Sequence, residues 1–261
     1  EIPIGTAAPT EEQMSRVKHY FVGNYSIRDY YSASMYEQEV LQLISRLPEG
    51  KDSVIAVLSG GSMLYIDAVC NGIDDIPTVD DKTREWMKQR LATEGLPALV
   101  DELKRLDPEH WEIVDRQNPR RVVHALEICH MTSKTYTSFR KNEKKQRPFD
   151  IIKIGLNRER EELYERINQR VLHMIREGMI DEAQRMYPMR ELNALNTVGY
   201  KELFEHFDGK ISLEEAISRI QSNTRRYARK QLTWFKRDLS IRWFSPDKDS
   251  TNTIIEQIRE L

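Results

Sequence analysis

From Thr78 to Phe139 the sequence offers no strand signal at all, and this long helical tract lies between stretches that do carry strand-like runs. Val54–Leu58 is a short apolar run ending in Ser59-Gly60-Gly61. Ile151–Leu156 and Ile241–Phe244 are two more, and His19–Val22 is a weak fourth. Apolar runs separated by long helical patterns point to a parallel α/β sheet. The helical tract then reads as an insertion between two core strands. The expected division is an α/β core over residues 1–77 and 146–261, with an all-helical insertion over 78–145. Three or four strands are few for a sheet covered on both faces, and the chain opens at Glu1-Ile2-Pro3. A preceding βαβ segment is therefore expected.

Within the insertion, Arg84–Leu91 and Leu99–Leu106 have helical spacing. Asn118-Pro119 supplies an N-cap and a first-turn proline, followed by the stripe Val122, Val123, Leu126 and Cys129. Beyond it, Leu163, Ile167, Val171, Met174 and Ile175 mark a helix that Gly178 stops. Ser212 and Glu215 form the start of a last long helix, with a core face of Leu213, Ala216, Ile217, Ile220, Thr224, Tyr227, Ala228, Leu232 and Phe235.

Charge narrows the function. The net charge is −2, yet seven basic residues and no acidic one lie between Arg219 and Arg237. Five more basics against Glu143 alone lie between Arg140 and Arg147. Cation stripes in a nearly neutral chain suit a polyphosphate ligand, or else solvated helix faces. No apolar run approaches the ~20 residues of a membrane span. Cys70 and Cys129 read as small buried hydrophobes suited to a reducing cytoplasm, not as metal ligands.

Four places could carry chemistry. Gly60-Gly61-Ser62 allows a tight turn into a helix whose free N–H groups favour anions, with Ser62 as a hydroxyl donor or acceptor or as a plain N-cap. Arg120, Arg121 and His124 occupy the first two turns of a helix, where the macrodipole does not favour cations, so a phosphate contact or simple solubility accounts for them. Arg166 and Arg170, one turn apart, can grip a diphosphate through guanidinium forks, or pair with Glu161, Glu162 and Glu165. Trp234 offers a flat face among cations, for a base or for the core.

In sum these segments resemble the tRNA dimethylallyltransferase (isopentenyltransferase) family over nearly the whole chain. Ile4-Gly5-Thr6-Ala7-Ala8-Pro9 resembles GTAKP, and Tyr31-Ser32-Ala33 the start of the helix after it. Gly60-Gly61-Ser62-Met63-Leu64-Tyr65 resembles GGTxLY. Asp107-Pro108 resembles the DP element, Asn118–Glu127 resembles NPxRxxRALE, and Ser133-Lys134-Thr135 a TGK turn. Arg160–Arg170 resembles RxxLxxRIxxR, Val198–Lys201 VGYR, and Thr224–Trp234 TRxYAKRQxTW.

The resemblance implies a P-loop NTPase-like α/β fold with a helical insertion that holds the anticodon stem-loop. The implied reaction moves dimethylallyl from dimethylallyl diphosphate to the N6 amine of the adenosine 3′ of the anticodon, with Mg²⁺ and a P-loop on the diphosphate. It implies Ser62 as the hydroxyl that orients the amine, and Arg170, with Arg166 and Arg225 nearby, on the diphosphate. For tRNA it implies Arg84, Arg120, Arg121, His124 and the segment Asn196, Thr197, Val198, Gly199, Tyr200 and Lys201. A cytoplasmic monomer is expected. The departures are Ser62 for threonine, Ala8 for lysine and His124 for arginine. No GxxxxGKS or GxxxxGKT occurs in the 261 residues, nor the family's catalytic aspartate, so this sequence is expected to bind the prenyl diphosphate poorly and to be inactive alone. The competing readings are a non-catalytic RNA-binding paralogue and a nucleotide kinase-like enzyme. A kinase has no need of the helical insertion or the basic last helix.

Overall fold

The computed structural model describes residues 1–47, 55–141, 143–246 and 248–259. Two short helices, α1 (Pro3–Thr6) and α2 (Glu11–Arg16), open the chain. Then come α3 (Ala33–Ser45), α4 (Met63–Asn71), α5 (Asp81–Leu106), α6 (Pro108–Ile113) and α7 (Pro119–Thr132). Strand β1 (Ile154–Leu156) precedes α8 (Arg160–Arg176), α9 (Met179–Met186), α10 (Tyr200–Phe207) and α11 (Leu213–Phe235). Strand β2 (Arg242–Phe244) and α12 (Thr251–Arg259) close the order. The chain forms two compact units. An α/β unit comprises Glu1–Tyr31, Ser59–Met63 and Asp150–Leu261, and a helical unit comprises Ser32–Leu58 and Leu64–Phe149.

In the α/β unit β1 and β2 pair in parallel, Ile154 opposite Arg242 and Leu156 opposite Phe244. Gly155 faces Trp243 so closely that a Cβ there would lie 2.5 Å from the indole ring, so glycine is what admits the tryptophan. Both strands fall inside the expected runs and are shorter. The other two expected strands are not formed among the described residues. Phe21 takes a left-handed φ of 61°, which interrupts the extended backbone that His19–Val22 would need. Val54 lies outside the described residues, while 55–58 has no ladder partner and leaves Ile55 and Val57 more than four-fifths exposed. A strand is defined by its neighbour, and apolar sequence alone does not provide one.

The core of this unit is Val171, Met179, Ala183, Leu195, Tyr200, Leu203, Phe204, Ala216 and Ile220. Only the first half of α11 contributes to it. Ala216 and Ile220 are buried, whereas Tyr227, expected on the core face, is 42% exposed. The second half of α11 is given over to cations.

The helical unit has its own core of Met87, Leu99, Leu103, Val114, Val122, Ala125 and Leu126, all within the 78–145 range expected for the insertion. The compact unit is larger than that range, because it also takes in α3 and most of α4. Helix α5 is two helical pieces joined at Gly95, whose φ of 80° suits glycine, and Pro97 follows at the start of the second. This matches the two separate helical patterns in the sequence. Asp107, fully buried, accepts the His110 N–H at 3.0 Å and both the N–H (2.7 Å) and hydroxyl (2.8 Å) of Thr137. It thereby ends α5, caps α6 and ties down the segment after α7. The Arg147 side chain is buried, donating to Glu37 (2.6 Å) and to the carbonyls of Ala68 (2.6 Å) and Val69 (2.8 Å), so the return segment is locked to α3 and the end of α4.

Candidate functional site

The turn before α4 is held by the last long helix. Gln231 Nε2 donates to the Gly61 carbonyl at 2.8 Å, and a Cβ on Gly61 would sit 2.0 Å from that nitrogen. A Cβ at Gly61 would push the Gln231 amide aside and cost this hydrogen bond. Ser62 follows, exposed, immediately ahead of α4. Its neighbour Met63 lines a cleft with Arg226, Arg229, Lys230, Thr233, Trp234 and Arg237. The Arg237 guanidinium lies 5.5 Å from the Trp234 ring centroid. Four cations and an indole beside an exposed hydroxyl make a place for an anion that carries a flat group.

Arg166 and Arg170 stand exposed on α8 and make no hydrogen bond or ion pair among the described residues. Two of the acids that could have paired with them are engaged elsewhere: Glu162 accepts from Arg158 and Glu165 from Gln169, both at 2.7 Å. Helices α8 and α11 are joined where Gln221 donates to the Asn168 carbonyl (3.3 Å) and Arg225 to the Asn168 side chain (2.5 Å). Arg225 also lies 5.9 Å from the Tyr164 ring centroid. The Tyr164 oxygen accepts from Arg160 (3.2 Å) and Arg229 (3.3 Å). Desolvation pushes the Tyr164 phenol up, but the two guanidinium hydrogen bonds outweigh it and leave the phenol below its ordinary value. Three guanidiniums, of Arg160, Arg225 and Arg229, thus gather around Tyr164 where α8 and α11 meet.

The segment 196–201 divides. Asn196, Thr197 and Lys201 are exposed and Val198 is half-buried. Gly199 is buried at φ 105°, donates its N–H to Glu202 Oε2 (2.8 Å), and has no room for a Cβ, which would meet the Met179 methyl at 2.3 Å. Tyr200 is fully buried, its hydroxyl donating 2.6 Å to Glu182. Burial first, and that carboxylate second, push the phenol far above its ordinary range. Glu182, also fully buried, accepts the N–H groups of Ile4 (2.9 Å) and Gly5 (2.8 Å) as well. Of the residues expected on RNA in this stretch, Gly199 and Tyr200 are therefore placed in the interior. There they shape the segment and hold it to the start of the chain.

In the helical unit Asn118 caps α7 through the Arg121 N–H (3.4 Å), with Pro119 in the first turn. Arg120 and Arg121 are exposed, and neither guanidinium makes a hydrogen bond or ion pair among the described residues. His124 is exposed, 3.4 Å from Glu127 and edge-on to Tyr136 at 5.7 Å. Arg84 differs: it donates to the Val79 carbonyl (3.2 Å) and lies 3.5 Å from Asp81, fastening the beginning of its own helix. Among the described residues no group of three or more His, Cys, Asp or Glu side chains is placed to hold a metal ion.

The sequence profile of the IPP transferase family matches residues 1–238. The chain belongs to this family. It is 59% identical over 250 residues to tRNA dimethylallyltransferase 1 of Phocaeicola vulgatus, covering 96% of this chain and 83% of that one. It is 51% identical over 261 residues to tRNA dimethylallyltransferase 2 of Azobacteroides pseudotrichonymphae, covering 99% and 84%. Among solved structures it is similar to the tRNA isopentenylpyrophosphate transferase of Bacillus halodurans, with TM-score 0.63, 32% identity, and coverage of 99% and 82%. It also shares the fold of a eukaryotic dimethylallyltransferase at TM-score 0.76 and 21% identity, covering 99% of this chain and 68% of that one. The P-loop NTPase-like α/β class with a helical insertion, expected from sequence, is that of these IPP transferase structures. No described helix is long and apolar enough to cross a membrane. For the IPP transferase motifs, the structure adds partners that sequence left unread: Gln231 on Gly61, Tyr164 between arginines, and Glu182 on Gly5. Gln231 falls inside the basic motif of α11, but nothing in a lone Gln or Glu announces what it bonds.

Proposed function

We propose that this chain serves, as a monomer in the cytoplasm, the transfer of a dimethylallyl group from dimethylallyl diphosphate to the N6 amine of the adenosine on the 3′ side of the tRNA anticodon, and that the 261 residues by themselves bind the RNA better than they turn it over. The observation that carries the reading is the 59% identity, over nearly its whole length, to a tRNA dimethylallyltransferase. A new carbon–nitrogen bond forms as the allylic carbon–oxygen bond breaks, the diphosphate leaves with the electron pair, and the amine gives up a proton. Arg166 and Arg170, with unpaired guanidinium forks, suit the departing diphosphate, and Arg225 keeps that surface positive. The exposed Ser62 hydroxyl suits the amine, whose adenosine must be turned out of its stack. Asn196, Thr197 and Lys201 offer contacts to RNA on the α/β unit, and Arg120, Arg121 and His124 on the helical unit, mainly to phosphates. Mg²⁺ would enter as a companion of the diphosphate, offsetting its charge as it leaves.

The 261 residues contain no GxxxxGKS or GxxxxGKT. RNA binding and prenyl transfer therefore separate in one experiment on this chain. A labelled anticodon stem-loop is expected to be retained, with little label transferred from dimethylallyl diphosphate. Robust transfer would mean that the diphosphate needs no such loop and that the arginines of α8 and α11 suffice to hold it. Failure to retain the stem-loop would overturn the RNA reading.

A further inference from the structure

Two surfaces of the α/β unit suited to an anionic partner are the segment 196–201 and the cleft lined by Met63 and the cations of α11. A chain of hydrogen bonds joins them through one side chain, Asn223 on α11. Its Nδ2 donates to Glu202 Oε1 at 2.7 Å, and its Oδ1 accepts from the Arg226 guanidinium at 3.1 Å. The other oxygen of Glu202 receives the Gly199 N–H at 2.8 Å, which closes the first turn of α10. The links thus run from Arg226, on the wall of the cleft, to Gly199, just beyond the exposed Asn196 and Thr197.

Each link has one sense only. A carboxylate accepts and a guanidinium donates, so an amide satisfies both at once, with its nitrogen toward Glu202 and its oxygen toward Arg226. The helix itself has no use for this residue, since asparagine is a poorer helix former than alanine or leucine. The buried core has none either, because α11 enters it through Ala216 and Ile220. Arg219, earlier on the same helix, is held by the carboxylates of Glu205 (2.8 Å) and Glu215 (2.6 Å), so its charge is met within the protein. Arg226 is held by a neutral amide, which fixes its direction and leaves its charge for a ligand. We propose that Asn223 is a positioning residue for RNA binding. Through Glu202 it fixes the backbone that carries Asn196 and Thr197, and through its own oxygen it aims Arg226, so that both meet one polyanion together. This rests on the RNA reading and adds to it a residue that acts through others.

The test is a set of double-mutant cycles, read as stem-loop affinity of the 261-residue chain by fluorescence anisotropy. Asn223→Ala is made in wild type and in three backgrounds: Arg226→Ala, Asn196→Ala with Thr197→Ala, and Arg121→Ala as a control on the helical unit. Titrations run well below the lowest melting temperature of the set, so loss of folded protein does not enter. Asn223→Leu, which keeps apolar volume and removes both bonds, takes the place of the alanine variant if that one melts too early. In wild type the change is expected to weaken binding roughly two- to hundredfold, the span of coupling within one hydrogen-bond network. In the first two backgrounds the further loss should be clearly smaller, because what Asn223 positions is already gone. With Arg121→Ala the two losses should multiply, as they do for distant sites. Equal affinity of Asn223→Ala and wild type overturns the positioning role. Losses that multiply in all three backgrounds overturn it as well, since a general weakening of the fold does not single out partners. A background of the first two that itself binds like wild type leaves Asn223 nothing to position there, and overturns that half of the proposal. Absence of binding in wild type overturns the RNA reading beneath it.

Discussion

A guanidinium in water beside no acid contributes little to stability, and Arg121 is such a group. Replacing it with alanine is expected to leave the melting temperature nearly unchanged, with stability within about 0.5 kcal/mol of wild type, as for surface substitutions generally. Stem-loop binding should weaken, and weaken less as salt rises, because a phosphate contact releases counterions and its loss lowers the salt slope by about one. Titrations over a range of salt together with thermal melts decide the matter. An early melt with unchanged affinity would make Arg121 a structural residue. Arg84 and Arg121 are the same letter in the sequence, and both resemble RNA contacts. Only the structure separates them, because a carbonyl such as that of Val79 leaves no mark on the pattern of side chains. Tyr200 shows the same limit from the other side: it stands in a recognisable motif, but motif membership does not distinguish touching a ligand from holding the loop that does.

At the scale of elements, the join between the two strands is set by a carboxylate. Asp238 accepts from Lys153 Nζ at 2.6 Å and from the hydroxyl and N–H of Ser240 at 2.6 and 2.9 Å, while the Lys153 carbonyl receives Arg242 at the start of β2. Lys153 first and Ser240 second pull the Asp238 carboxyl down to about 2. A depressed carboxyl contributes stability that is present above its unfolded value, near 4, and is lost as pH falls toward the folded one. Asp238→Asn should therefore unfold at lower denaturant than wild type at neutral pH. The gap should close between about pH 4 and pH 2. A gap that persists undiminished at pH 2 would mean the carboxylate charge is not its source. Helices were legible where period and punctuation agreed, as with Asn118-Pro119 opening α7, and by period alone in Arg84–Leu91 and Leu99–Leu106 of α5. Strands were legible only as apolar runs: 242–244 found a neighbour and 55–58 did not, and pairing is a property of two segments. Tyr227 was misread because helical period continues past the point where the core ends.

Over the whole molecule, Glu182 joins parts of the chain that are made far apart in time. Its bonds to Ile4 and Gly5 span 178 and 177 residues. At a synthesis rate of about 5–20 residues per second, Ile4 and Gly5 wait roughly 10–35 s for this carboxylate. The helical unit waits for nothing beyond Phe149, and its core closes through α5, α6 and α7, which are near neighbours in sequence. Birth order therefore gives these parts a folding order, with the helical unit setting before the segment around Ile4 and Gly5. Ribosome-bound chains stalled with about 170 residues emerged should resist protease around Leu99 and Leu103 while Ile4 and Gly5 remain open to cleavage. Chains long enough to expose Phe244 should close both. Early protection at Gly5 would mean that something other than Glu182 holds the first residues in place. If it is absent, the segment around Ile4 and Gly5 stays unfastened until Glu182 has been made, and any factor that must reach it has its opportunity then.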